Sequence, residues 1–141
     1  MTDQNTALSF ACINNSITEA LSILSSNPSL ISEPLTWEDS DGKELTTPAI
    51  FIAIDYGHLE LVKKILQFFK GDASIDKLKS GSGDYNALGW ASWVGNFDIV
   101  RMLVEGESSL FTDVLLIISL HFHLILKIFH SFVHQYYFNP K

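Results

Sequence analysis

Two short segments contain residue types that bind ions, but neither has the spacing that ion binding requires. Residues 39–42 read Asp-Ser-Asp-Gly and resemble the start of a calcium-binding loop. A complete loop has glycine at its sixth position and glutamate at its twelfth, where this chain has Glu44 and Ile50. Residues 81–83 read Gly-Ser-Gly and lack the third glycine and the following lysine of a phosphate-binding loop. Both segments are therefore predicted to be loops without a bound ion.

Nucleophilic and metal chemistry also have little support. His130 and His134 are four residues apart, so on a helix they would share one face and could chelate zinc. No cysteine or carboxylate lies near them in the sequence, and a polar stripe on an apolar helix is the alternative interpretation. Cys12 is the single cysteine, which excludes an internal disulfide. The sequence thus predicts no catalytic residues, no metal site and no cofactor.

The composition indicates one folded, acidic domain. Of the 141 residues, 47% are hydrophobic and 18% are charged, which differs from the composition of disordered proteins. The net charge is -7, so the chain has no electrostatic attraction to the phosphates of nucleic acid. Residues 1–9 are polar and lack the basic start and apolar stretch of a secretory signal. We expect a protein of the cytoplasm or nucleus that does not bind nucleic acid.

The most informative pattern is an internal repeat. Residues 48–66 align with residues 86–104, which lie 38 positions later, and the alignment superimposes two glycines and nearly all apolar positions. A weaker copy at residues 6–24 has Asn15 in place of the glycine, and asparagine tolerates the left-handed conformation. Such periods are typical of repeat proteins, in which each unit buries its apolar face against its neighbours.

Each copy has the sequence of a helix, a tight turn and a second helix. In the second copy, apolar residues at helical spacing predict a short first helix, which Gly57 ends because glycine adopts positive φ readily. The following helix has one apolar face, made of Leu59, Val62, Ile65 and Leu66. Ala11, Ala53 and Ala91 occupy equivalent positions of the three first helices. These small side chains would allow the paired helices to approach closely.

These residues resemble the ankyrin repeat, whose pattern runs Thr-Pro-Leu-His, an alanine pair, Gly-His and then Leu-Glu-Ile-Val. Residues 57–62 match the second half of this pattern almost letter for letter, and residues 95–100 match it in character. The resemblance implies an all-α fold of stacked helix-turn-helix repeats. It also implies a repeat domain over residues 1–109, with repeats near residues 6–24, 47–66 and 85–104.

The resemblance assigns structural roles to the two reactive residue types in the repeats. Cys12 takes the place of the second alanine and is expected in the core, whereas His58 takes the place of a turn-stabilising histidine. The repeat pitch exceeds the usual ~33 residues, so the surplus is predicted to lie in the connections. The chain departs from the family pattern at the threonine position, with Pro48 and Asn86, and at the histidine position, with Ser9, Phe51 and Gly89.

The resemblance further implies a protein-binding function. In ankyrin repeats the two variable residues before the turn glycine lie on the concave face, and the connections form protruding fingers. Tyr56 and Trp93 would lie one repeat apart on that face, and both residue types are common at binding hot spots. The alternative is that Trp93 packs on the long loop before it. The predicted partner-binding residues are Trp37, Asp39, Asp55, Tyr56, Tyr85, Trp93 and Val94.

Residues 110–141 differ in composition from the rest of the chain, because their only formal charges are Asp113, Lys127 and Lys141. A hydrophobic helix is predicted here, and it has three interpretations. It caps the array, it replaces further repeats as an altered terminus, or it enters a membrane, although Lys127 and four histidines make membrane insertion costly. The sequence therefore predicts a non-catalytic module that binds a protein partner, and the alternative is a membrane-attached ankyrin-repeat protein.

Overall fold

The computed structural model describes residues 3–39, 41–70, 77–81, 85–105, 122 and 124–127. Within these residues, six α-helices form three consecutive pairs. The first helices of the pairs are α1 (Gln4–Ile13), α3 (Ala49–Asp55) and α5 (Ala87–Val94). The second helices are α2 (Ile17–Ser26), α4 (Leu59–Phe68) and α6 (Phe97–Glu105). The predicted all-α array of helix pairs is confirmed.

The turn inside each pair has the same backbone geometry. Asn15, Gly57 and Gly95 have positive φ values of 56°, 73° and 81°, as the sequence predicted for the first two. In each turn an amide N–H donates to the carbonyl of the small residue near the middle of the first helix, at 2.8 Å, 2.9 Å and 3.0 Å. The three acceptors are Ala11, Ala53 and Ala91, which confirms the alignment of the three copies.

The helices pack in two layers. The first helices α1, α3 and α5 lie side by side, and the second helices α2, α4 and α6 form a parallel row against them. Ala11, Ala53 and Ala91 are buried between the layers, so the small side chains allow the close contact that the sequence predicted. The core continues across all three pairs and includes Leu8, Leu24, Phe51, Ile54, Leu61, Val62, Ile65, Ile99 and Val100.

The connection between the first and second pairs contains elements that the sequence did not predict. After a short 3-10 helix at Pro28–Ile31, strands β1 (Leu35–Glu38) and β2 (Glu44–Thr47) form an antiparallel hairpin. At its tip, Asp39 Oδ1 accepts hydrogen bonds from the N–H groups of Asp41 and Lys43 at 3.0 Å and 2.9 Å. This is the predicted turn, and we call residues 35–47 the finger.

The predicted C-terminal helix lies mostly outside the described residues. Residues 122 and 124–127 are helical, and their side chains are exposed. Among the described residues, none of the helices has the length and apolar character that crossing a bilayer requires. The three interpretations of residues 110–141, and the domain boundary predicted before them, therefore remain predictions.

Candidate protein-binding surface

Trp37 fixes the finger to the helices and does not form an exposed contact. Its side chain is 4% exposed, and its indole Nε1 donates a 3.0 Å hydrogen bond to Thr47 Oγ1. Trp37 was predicted to bind a partner, but its side chain is directed into the core, because strand alternation turns residues 35 and 37 toward the core and residues 36 and 38 toward solvent. The indole instead packs at a centroid distance of 5.9 Å from the Tyr56 ring.

Tyr56 connects the finger to the end of α3. The Tyr56 hydroxyl donates a 2.9 Å hydrogen bond to the carbonyl oxygen of Glu38, and the partly buried ring stacks on the His58 imidazole at 5.9 Å. His58 Nε2 lies 2.8 Å from the carbonyl oxygen of Ile13 in the first pair. Trp37, Tyr56 and His58 thus form one cluster, which we call the closed cluster because each of these three side chains has a hydrogen-bond partner.

Asp55 precedes Tyr56 of the closed cluster, and its surroundings raise the pKa of its carboxyl. Burial, and after it the negative charges of Asp39 and Asp41 on the finger, raise the pKa of its carboxyl to about 6. The Trp90 indole opposes this effect, and no cationic group is among the causes of the shift. The two predicted binding residues Asp39 and Asp55 therefore belong to one acidic group.

Trp90 is a residue that the sequence analysis missed. Its side chain is buried, and its Nε1 atom has no hydrogen-bond partner among the described residues. The N–H favours the ionised form of the nearby Asp55 carboxyl and so lowers its pKa, although the two groups do not form a hydrogen bond of normal geometry. The available sequence signal was weak, since Trp90 aligns with Ile52 in the repeat and so resembles an ordinary core residue.

Two aromatic rings extend this region to the surface. Tyr85 and Trp93 are 37% and 50% exposed, and their rings stack with centroids 6.0 Å apart and an interplanar angle of 21°. Tyr85 also lies 6.3 Å from the buried Trp90 ring. Trp93 therefore does contact the loop before it, as the alternative interpretation had it, while half of its surface stays exposed. Val94 is partly buried against the core.

The remaining predicted binding residues thus lie around one patch. We call it the inner surface and define it by Asp39, Asp41, Asp55, Tyr85 and Trp93. Its base is an open cluster, made of Asp55, Trp90, Tyr85 and Trp93, in which the buried Trp90 N–H has no hydrogen-bond partner in the part of the chain that the structure describes. Its groups can offer carboxylate oxygens and flat aromatic faces to a ligand.

The family model of ankyrin repeats matches residues 8–113 in three copies, which is more than half of the chain. The chain belongs to the ankyrin-repeat family. It is also similar to a chain in the crystal structure of the yeast ribosomal protein Rps3 in complex with its chaperone Yar1. That likeness has a TM-score of 0.53 and 25% sequence identity, and it covers 74% of this chain and 69% of the other. No curated protein matches the sequence.

At two positions where the ankyrin pattern has threonine or histidine, this chain has an asparagine that forms a hydrogen bond at the start of a helix. Asn86, at the threonine position, accepts a 2.8 Å hydrogen bond from the N–H of Gly89 and so caps α5. Asn96, at the position of His58, accepts a 3.1 Å bond from the N–H of Ile99. Each of these two asparagine side chains therefore accepts a hydrogen bond from a backbone N–H group at the start of a helix.

Among the described residues, the side chains that could be reactive are not arranged as a catalytic or metal site. Cys12 is buried, and burial raises the pKa of its thiol to about 12, so the nucleophilic thiolate is not formed near neutral pH. In the part of the chain that the structure describes, no group of His, Cys, Asp and Glu side chains has the arrangement of a metal site. The predicted pair His130 and His134 lies outside that part.

Proposed function

We propose that this chain is a non-catalytic module that holds a protein partner on the inner surface. The observation that carries the proposal is the stacked pair of Tyr85 and Trp93, because both large aromatic rings are partly exposed to solvent. They lie beside the buried Trp90 N–H, for which the described residues provide no hydrogen-bond partner. Partly exposed Tyr and Trp side chains can bury much area on binding with little loss of side-chain freedom.

Two further points support a protein as the ligand. Ankyrin repeats generally mediate protein–protein interaction, and the family is typically non-catalytic. The similar solved structure is, by its title, a complex between a ribosomal protein and its chaperone. The net charge of -7 also argues against nucleic acid as a partner.

Photo-crosslinking at matched aromatic positions tests this function. Benzoylphenylalanine would replace Tyr85 or Trp93 in the full chain, and Phe68 on the outer helix α4 would serve as the control because it is 45% exposed. We expect a discrete protein adduct from positions 85 and 93 in living cells, and none of that size from position 68. Equal adducts at all three positions, or none at positions 85 and 93, would contradict the proposal.

Localisation and the role of residues 110–141 are tested separately. A cytoplasmic or nuclear protein is our proposal, and the apolar composition of residues 110–141 is the observation that favours membrane attachment instead. Cell fractionation of the full chain and of a chain ending at residue 109 distinguishes them. A full chain that sediments with membranes, while the shorter chain stays in the supernatant, would favour the membrane-attached alternative.

A further inference from the structure

The charge around the inner surface is one-sided. The finger contains four acidic residues and one basic residue, Lys43. Burial, and after it the two finger carboxylates, disfavour the ionised form of Asp55, and no cation is among the described groups that shift its pKa. Asp39 is held in place by the two N–H groups at the finger tip, so the protein presents these carboxylates on an ordered support. A positively charged ligand would relieve the repulsion between them.

The buried Trp90 indole is a second and independent indication of a ligand. Its N–H is buried and has no hydrogen-bond partner among the described residues, and leaving a buried donor unpaired costs about 1–3 kcal/mol. The donor acts on the Asp55 carboxyl, so an ionised Asp55 would be its natural acceptor. A cation in front of Asp55 favours that ionised form, and Trp90 can then hold the carboxylate from behind. Trp90 therefore favours the ionised form of Asp55, which is the form that attracts a positive charge.

The aromatic pair indicates which cation fits best. The stacked rings of Tyr85 and Trp93 lie next to Trp90, since Tyr85 contacts both tryptophans and Trp93 lies one helical turn after Trp90. A guanidinium group stacks on aromatic faces and forms paired hydrogen bonds with a carboxylate, whereas an ammonium group is a compact, strongly hydrated charge. Aromatic faces beside carboxylates therefore favour arginine over lysine.

We infer that the inner surface binds an arginine-containing basic segment of a partner protein, with the guanidinium at the Asp39, Asp41 and Asp55 carboxylates and its flat face toward Trp93. This inference rests on the proposed function and adds the chemical class of the partner. Acidic segments are excluded by repulsion from the same carboxylates.

Fluorescence anisotropy with defined peptides tests the inference on the full chain. The probe is a short labelled peptide of alternating arginine and serine, and its lysine and glutamate counterparts are compared at physiological salt, where distant charges are screened. We expect the arginine peptide to bind at least about threefold more tightly than the lysine peptide and the glutamate peptide not to bind. Equal binding of the arginine and lysine peptides, or no binding of either, would overturn the inference.

Two charge variants separate a local site from general attraction to an acidic protein. One variant neutralises the site through Asp39→Asn, Asp41→Asn and Asp55→Asn. The matched control removes the same number of charges from exposed positions on the second helices, through Glu19→Gln, Glu60→Gln and Asp98→Asn. We expect the site variant to weaken arginine-peptide binding by about tenfold or more and the control by less than about threefold. Equal losses in both variants would show attraction to net charge alone and would overturn the inference.

The contribution of the aromatic rings to peptide binding is tested with a second matched pair of variants. Trp93→Ala should weaken binding of the arginine peptide by about tenfold, since hot-spot tryptophans commonly contribute this much or more. Phe68→Ala should leave it unchanged. If cross-linking at positions 85 and 93 captures a partner whose contact segment lacks arginine, this inference fails while the proposed function stands. If cross-linking captures nothing there, the proposed function fails as well.

Discussion

Two aromatic clusters lie at the ends of the first helices, and they differ in how their polar atoms are satisfied. In the closed cluster, the Trp37 indole, the Tyr56 hydroxyl and the His58 imidazole each meet a partner within 3.0 Å. In the open cluster, the Trp90 N–H meets no hydrogen-bond partner among the residues that the structure describes, and Asp55 has a raised pKa. A folded chain gains stability where buried polar groups are paired and loses stability where they are not. The closed cluster thus joins the finger to the repeats, and the open cluster has the features of a binding site.

The largest difference between the clusters should appear on removal of one tryptophan from each. Trp37→Ala should lower the free energy of unfolding by ~3–5 kcal/mol, because a large buried side chain and its hydrogen bond are lost. Trp93→Ala should lower it by less than ~1 kcal/mol, because half of the side chain is already exposed. Urea denaturation followed by circular dichroism gives both values. Similar losses for the two variants would contradict the distinction between the clusters.

The helices beneath both clusters should respond equally to overpacking. Ala53 and Ala91 are fully buried at equivalent positions of α3 and α5. Ala53→Leu and Ala91→Leu should each cost ~1–3 kcal/mol, because the added methyl groups must displace a close helix contact. Unchanged denaturation midpoints for both variants would mean that the two helix layers do not pack as the structure shows.

A smaller difference is expected from two tyrosine hydroxyls. Tyr56→Phe removes the hydrogen bond to the Glu38 carbonyl and should cost about 1 kcal/mol, which is the usual net value of such a bond. Tyr85→Phe keeps the ring that stacks on Trp93 and should change the stability by less than ~0.5 kcal/mol. Thermal melting of the two variants beside the wild type makes the comparison. A larger loss for Tyr85→Phe would place a structural hydrogen bond in the open cluster.

The helix pairs could be predicted from sequence because their causes are local and occur in each repeat. Apolar spacing sets the helix faces, small residues mark the close contacts, and Asn15 and Gly57 mark the turns at fixed positions. The finger was predicted as a turn but not as a hairpin, because its strands have only four residues each. An alternation of apolar and polar residues over only four positions is too short to predict a strand. The exposure predicted for Trp37 failed for the same reason, since strand pairing decided which way its side chain points.

The acidic group and Trp90 depended on contacts between segments that are distant in sequence. Asp55 was predicted from its place before the turn glycine, but its raised pKa arises from burial and, after it, from the finger carboxylates. Trp90 aligns with an isoleucine, and the importance of its N–H depends on which side chain the neighbouring helix places in front of it. Stacking geometry of this kind is not encoded in the period of a repeat.

The raised pKa of Asp55 predicts that the stability of the fold depends on pH. The unfolded chain loses this proton near the ordinary value of 3.8, whereas the folded chain keeps it until about 6. Between these values the folded state binds more protons than the unfolded state, so the stability decreases as the pH rises through this window. Above the window the ionised carboxylate, which faces Asp39 and Asp41, remains a destabilising group.

Asp55→Asn removes this titration while keeping the shape of the side chain. The variant should be more stable than the wild type by roughly 1 kcal/mol at neutral pH, which is less than the full pKa shift would give because the side chain is only partly buried. The advantage should fall toward zero near pH 4, where Asp55 is largely protonated in the folded state. Asp98→Asn is the control, because Asp98 lies exposed in the first turn of α6. Its loss should cost a few tenths of a kcal/mol. Urea titrations at several pH values measure these differences. A wild type that is more stable than Asp55→Asn at neutral pH would mean that the fold already pairs this carboxylate. The open cluster would then be as satisfied as the closed one.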